Sequence, residues 1–321
     1  MTNLTLKQLR YADALARQGH FGRAAEASAI TQPALSMQIR ELETSLGQPL
    51  FERGPREVSL TPFGQDFVQR AREILRAVED LGDLARARGP GLGGRLRLGV
   101  IPTIAPYLLP GLVARLLSDH PALDLNLRET LTPRLIEELR EGRLDAAIVA
   151  LPVSDPGLAE VALFSEAFVL VRPQSEAMAP VPGPARLREM RLLLLEEGHC
   201  FRDQALSFCA LRADAPRELM DGSSLSTLVQ MVGAGLGVTL IPEMAVEVET
   251  RSAAVSVARF PAPQPARTIG MVWRRSSPLA SQLQRLAERV TEIGAGGGGA
   301  ALGSCDAGGI RTSSGLARQG G

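Results

Sequence analysis

The sequence predicts an α+β chain in three parts: a small helical front end closed by a β-hairpin, one long helix, and a two-lobed α/β half. Three patterns carry this. Apolar residues recur at helical spacing as far as Leu46 and then give way to the turn-rich FERGPREVSLTPFG. A single amphipathic stretch runs from Thr61 to about Arg88 and stops at Gly89-Pro90-Gly91. From Arg95 onward, short aliphatic runs alternate with helical patterns, as in a sheet covered by helices. The expected divisions are residues 1–62, 63–94 and 95–293, with 294–321 as a Gly-rich tail.

At 321 residues the chain has room for two or three domains, each with its own core. Lys plus Arg and Asp plus Glu both number 35, so bulk charge favours neither nucleic acid nor acidic ligands. Any DNA affinity has to come from local placement of charge. The start, MTNLTLKQLRYADALARQ, lacks the basic lead, apolar centre and cleavage site of a signal peptide. The longest aliphatic run, Leu192 to Leu195, is far too short to span a bilayer, and no membrane partner is expected. Three cysteines do not make a secreted disulfide framework, so the expected location is cytoplasmic.

In the front end, Thr5 can cap a helix carrying Leu6, Leu9, Ala12 and Leu15 on one face. A short Ala-rich helix follows from Gly22 to Ser28. Thr31-Gln32-Pro33, a capping residue with proline in the first turn, opens a third. Leu35, Ile39, Leu42 and Leu46 make its buried face, leaving Gln32, Ser36, Met37 and Arg40 opposite. Two short helices joined by a tight turn suit a helix-turn-helix, with Arg53 and Arg56 on a following basic wing. Seven Lys/Arg against six Asp/Glu in residues 1–60 fit an ordinary three-helix bundle with a solvated face equally well.

Along the long helix, Phe67, Ala71, Ile74, Val78, Leu81 and Ala85 alternate spacings of four and three. That heptad seam predicts a helix pair and hence a dimer. At ~1.5 Å per residue the helix reaches about 39 Å, a spacer between two bodies.

In the α/β half, RLRLGVIP, LDLNLRE, LDAAIVAL, FVLVRP, RLLLLEE, GVTLIP, AVSVARF and ARTIGMVWR read as strands. Two small sheets are expected, with strands near 165–172 and 266–274 carrying the crossings between them. Ligands in such folds sit at strand carboxyl ends. The tail has no apolar period, and a disordered segment carrying Cys305 as an incidental thiol is expected.

The stretch GHCFRDQALSFC holds the other two cysteines. His199 and Arg202 flank Cys200, which stands where a helix should start, and both conditions favour a thiolate. On one regular helix, Cys209 would lie roughly 180° around and about 13 Å along from Cys200. A disulfide needs Cα atoms within about 7 Å. Either the thiols never meet, or the segment refolds to join them. Two structural cysteines fit the same residues.

FGRAAEASAITQPALSMQIRELETSLGQPLFERGPREVSLTPFG resembles the DNA-binding domain of the LysR-type transcriptional regulators, motif by motif and in order. The resemblance implies a winged helix-turn-helix with a recognition helix from near Thr31. Gln32, Pro33, Ser36 and Arg40 would then lie nearest the bases, with Arg53 and Arg56 nearest the phosphates. It also implies a periplasmic-binding-protein-like effector half. EEGHCFRDQALSFC, GVIPTIAPYLLP and MVGAGLGVTLIP further resemble the peroxide-responsive branch of that family. That implies Cys200 as the peroxidatic thiol, Cys209 as the resolving one, and a hydrogen peroxide pocket of Thr103, Thr132, His199 and Asp203. The implied protein is not an enzyme and carries no cofactor or metal. Its partners would be double-stranded DNA, a second copy through the linker helix, a dimer-based tetramer, and RNA polymerase. The alternative is a LysR-type regulator sensing a small organic ligand, with the cysteines incidental.

Overall fold

Helix α1 (Leu6–Gln18) begins at Thr5, whose hydroxyl accepts from the Gln8 amide while the Gln8 side chain accepts from the Thr5 amide. The computed structural model describes residues 4–54, 57–87, 92–209 and 221–296. Helix α2 (Phe21–Ala27) is capped by His20, whose Nδ1 accepts from the Gly22 amide (3.0 Å). Thr31 caps α3 (Gln32–Leu46), with proline in its first turn. Leu15, Leu35, Ile39 and Leu42 are completely buried between these helices. The hairpin of β1 (Phe51–Arg53) and β2 (Val58–Leu60) follows, with Glu52 opposite Ser59. The Glu43 carboxylate anchors its entry by accepting from the Leu50 and Phe51 amides.

Helix α4 (Pro62–Ala87) departs from the expected free-standing spacer in two ways. Its seam is split. Ala71 is buried and Phe67 packs on the front-end core, whereas Ile74 and Leu81 are exposed. Its polar side is also tied to the α/β half: Asp80 pairs with Arg274 (3.2 Å) and Glu79 with Arg97 (3.8 Å). The Gln282 amide group donates to the Arg86 carbonyl (3.2 Å). Charged residues carry this docking, so an apolar period could not reveal it.

The first lobe is built from β3 (Gly94–Val100), α5 (Ala105–Asp119), β4 (Leu123–Glu129), α6 (Thr132–Arg140) and β5 (Ala146–Leu151). Its strands run parallel in the order β4-β3-β5. The chain then enters β6 (Leu158–Pro173), 16 residues long and beginning well before the expected crossing. The second lobe holds α7 (Pro184–Leu187), β7 (Leu192–Leu195), α8 (Cys200–Phe208), β8 (Asp221–Gly222) and α9 (Leu225–Gly233). It continues with β9 (Val238–Pro242), α10 (Val246–Glu249) and β10 (Val255–Arg259). Strand β11 (Ala266–Arg274) and helix α11 (Ala280–Gly296) return to the first lobe.

The two sheets are joined rather than separate. Leu158 to Ala167 of β6 pair with β11, and Phe168 to Val171 pair with β9. Hydrogen bonding is therefore continuous along β4-β3-β5-β11-β6-β9-β7-β8, with β10 on the far part of β6. Each lobe keeps its own core, one around Leu98, Ile148 and Val272, the other around Leu170, Leu193 and Val229. Helix α11 also runs past the point where the tail was expected to begin. A Cβ on Gly294 would lie 2.3 Å from the Phe164 ring, so this glycine is a packing residue of the first lobe. The rest of the tail, with Cys305, lies outside the described residues.

Candidate functional site

Three turns leave the carboxyl ends of parallel strands, where α/β folds place their ligands. Thr103 follows β3, Thr132 opens α6 after β4, and His199-Cys200 opens α8 after β7. The last of these belongs to the second lobe and touches the first. Gly198 takes a left-handed φ of +95°, and a Cβ there would stand 3.0 Å from Leu131 Cδ1. That turn lets Cys200 pack against the first lobe's core, half-buried, while Cys209 is fully buried in the second lobe's core. The two thiols are not joined. They stand at opposite ends of one helix, and nine residues of helical rise set them about 13 Å apart along its axis.

Aromatic contacts and hydrogen bonds dock α8. Phe201 is buried and meets Phe168 edge-on (4.9 Å), and Phe208 meets Phe260 (5.1 Å). At the carboxyl end, Arg188 Nε donates to the Cys209 carbonyl (2.8 Å). The expected cations beside Cys200 are used differently. His199 is buried, and desolvation holds its pKa below the ordinary histidine value, with Glu196 pulling weakly the other way. Burial therefore favours its neutral imidazole form. Arg202 Nη1 donates to the Leu195 carbonyl (2.7 Å).

Thr103 is buried, and its hydroxyl accepts from Arg267 Nη1 (2.8 Å), leaving its own proton to donate. The Thr132 hydroxyl is buried with no hydrogen-bond partner among the described residues, and so is Oε1 of Gln204. Gln204 lies four residues after Cys200, on the same face of α8. Asp203 is exposed on the first turn.

Sequence reasoning missed Gln204 and also missed Arg267. Arg267 Nε donates to Glu166 (2.7 Å), Nη2 donates to the Thr103 carbonyl (3.1 Å), and the guanidinium sits 5.2 Å from the Phe201 ring centroid. Burial pushes the Glu166 carboxyl up, against the opposing pull of Arg267. An arginine near each end of a largely apolar strand, ARTIGMVWR, was the available signal. Across the lobes, Tyr107 donates to Glu249 (2.7 Å), which also accepts from Ser226 (2.6 Å).

In the front end, α3 buries Leu35, Ile39 and Leu42 and turns Gln32, Pro33 and Arg40 to solvent, with Ser36 half-buried among them. Met37, 54% exposed, extends the same face. Arg53 lies on β1, its side chain outside the described residues, and Arg56 lies outside them altogether.

This combination of a helix-turn-helix with wing and a two-lobed α/β domain defines a ligand- or signal-responsive DNA-binding regulator. Residues 6–65 match the bacterial regulatory helix-turn-helix proteins of the lysR family, and residues 89–294 match the LysR substrate binding domain. The chain belongs to the LysR family. Within it, the similarity is to OxyR, the hydrogen peroxide-inducible genes activator. A probable activator of this kind from Streptomyces viridosporus is 45% identical over 293 residues, covering 90% of this chain and 94% of the relative. Full-length OxyR from Pseudomonas aeruginosa, with a cysteine replaced by aspartate, superposes with a TM-score of 0.72 at 37% identity, covering 90% and 95% of the two chains. A hydrogen peroxide-bound cysteine mutant of Corynebacterium glutamicum OxyR gives 0.63 at 35% identity, covering 92% and 94%.

Proposed function

We propose that this chain is a peroxide-sensing, DNA-binding transcription activator whose output is set by a reversible Cys200–Cys209 disulfide. The observation that carries the reading is the division of the two thiols between two cores on one helix. Cys200 attacks one peroxide oxygen: an S–O bond forms, the O–O bond breaks, and the leaving oxygen departs as water after taking a proton. Cys209 then attacks the sulfenic sulfur, an S–S bond forms, and a second water leaves. The two thiols supply the two electrons. Thr103, Thr132 and Gln204 offer hydrogen bonds to the peroxide oxygens, and neutral His199 can pass a proton; Asp203 serves from the rim. Closure requires α8 to unwind and Phe201 to leave its seat, which transmits oxidation to the rest of the molecule.

The α3 face of Gln32, Pro33, Ser36 and Arg40 reads the major groove, and Arg53 and Arg56 bind the backbone. Two copies pair through the exposed seam of α4, assemble further into a tetramer, and engage RNA polymerase in the cytoplasm. The protein turns over no substrate, since each peroxide leaves it oxidised until a reductant resets it. Mass spectrometry of the thiols after stoichiometric peroxide tests the reading. A Cys200–Cys209 disulfide in the wild type, with a trapped Cys200 sulfenic acid in Cys209→Ser, supports it, and two unmodified thiols end it.

A second reading rests on a cavity of about 710 Å³ beside β6, walled by Pro110, Phe164, Met244 and Ile293, which suits an organic effector. Its walls include neither cysteine. Under that reading Cys200→Ser leaves regulation intact.

A further inference from the structure

Where α1, α4 and the turn after α6 meet, a cleft of about 590 Å³ opens. Its acids are already engaged. Asp13 pairs with Arg17 (2.7 Å) and Arg72 (2.6 Å), Glu141 with Arg72 (3.3 Å) and Arg143, and Glu79 with Arg97. Arg76 stands in the same wall and has no hydrogen bond or ion pair among the described residues. Its Nε is buried without an acceptor. The nearest remaining acids, Asp80 and Glu73, are bound to Arg274 (3.2 Å) and Arg70 (3.0 Å).

A second cation makes the imbalance worse. Arg76 and Arg274 both close over Gly142, where a Cβ would meet Arg76 Cγ at 3.1 Å and Arg274 Nη1 at 3.6 Å. Burial, and then the neighbouring Arg274 charge, push the Arg76 guanidinium below its ordinary value, against the opposing pull of Asp80, Glu73 and Glu141. The Nε atoms of Arg143 and Arg274 are likewise buried without acceptors. Lys7 and Arg10 of α1 line the same cleft. Arg76 is half-buried beside acids already committed to other arginines, and unpaired donors in a cleft where cations outnumber acids suit an anion.

We propose that this cleft binds a small phosphate-type anion, held by Arg76 and Arg143 and neutralised further by Lys7 and Arg10. Guanidinium forks match phosphate oxygens in charge and geometry. The walls come from the front end, the linker helix and the first lobe, so the bound anion fixes the DNA-binding end against the sensor. This binding is independent of the thiol chemistry.

The probe is pyrophosphate, titrated calorimetrically into reduced full-length protein at constant ionic strength. Saturable binding is expected, weakened at least tenfold in Arg76→Gln and several-fold in Lys7→Gln, whose exposed side chain leaves folding untouched. Without anion, Arg76→Gln melts at least as high as the wild type, because a half-buried guanidinium with no ion-pair partner has been removed, and pyrophosphate no longer raises its Tm. No saturation in the wild type, or equal affinity in Arg76→Gln, overturns the proposal. It fails as well if pyrophosphate does not bind and Arg76→Gln instead weakens DNA binding with a shallower salt dependence. In that case the groups served are backbone phosphates.

Discussion

Under the proposed function, Thr132 isolates one hydrogen bond of the sensing step. Its hydroxyl is buried and unpartnered in the resting protein, so Thr132→Val removes nothing that holds the fold. Stability should stay within about 1 kcal/mol of the wild type. Losing one hydrogen bond to the reacting peroxide should slow Cys200 oxidation about tenfold, as each ~1.4 kcal/mol of barrier is worth tenfold in rate. Stopped-flow oxidation alongside urea unfolding, followed through the lone buried Trp273, separates the two effects. His199 predicts a pH effect of definite sign. Its folded pKa lies below the ordinary histidine value of about 6.5, so the unfolded chain takes up the proton first as pH falls. The contribution of this residue is complete above about pH 6.5 and declines below it. Urea midpoints at pH 7.5 and 5.5 should differ for the wild type, and His199→Gln should flatten the difference.

At the level of elements, Phe201 is the largest buried side chain that seats α8. Phe201→Ala should cost the reduced protein about 3–5 kcal/mol, as for other buried aromatics. It should also speed conversion of Cys200 sulfenic acid to the disulfide, since the helix then leaves its seat more easily. Quenched-flow mass spectrometry reads that conversion directly, and an unchanged rate would separate undocking from closure. The helix itself was legible in the sequence, and so was the distance between its thiols. The capping residues Thr5 and Thr31, the buried stripe of α3 and the aliphatic strands were legible for the same reason: each leaves a local period or a local cap. What escaped depends on partners far apart in sequence. The Arg267 link to Thr103 spans 164 residues, and whether His199 is charged depends on a burial that no neighbouring residue announces. Gly294 read as the start of a tail because a glycine that makes room for Phe164 looks, in sequence, like any other glycine.

At the level of the whole molecule, Arg72 links the three parts of the chain. It pairs with Asp13 on α1 and with Glu141 beyond α6. Arg72→Ala should leave folding of either end intact but release the front end from the sensor. Footprints of reduced and oxidised protein on operator DNA should then converge, whereas the wild-type footprints should differ. Retained difference in the variant would place the coupling elsewhere, for instance in the α4 seam.

The long β6 strand has a consequence for how this half of the chain melts. Leu163 and Phe164 belong to one core, and Phe168 to Val171 belong to the other. Neither lobe can be excised without cutting a strand from both, so the sensor half is one cooperative unit despite its two-lobed outline. Scanning calorimetry of residues 92–296 should show a single transition with matching calorimetric and van't Hoff enthalpies. Fragments ending within Leu158–Pro173 should not fold. A tolerant site for circular permutation or a reporter insertion must therefore be sought in the outer loops, never at the waist where a two-lobed protein is ordinarily divided.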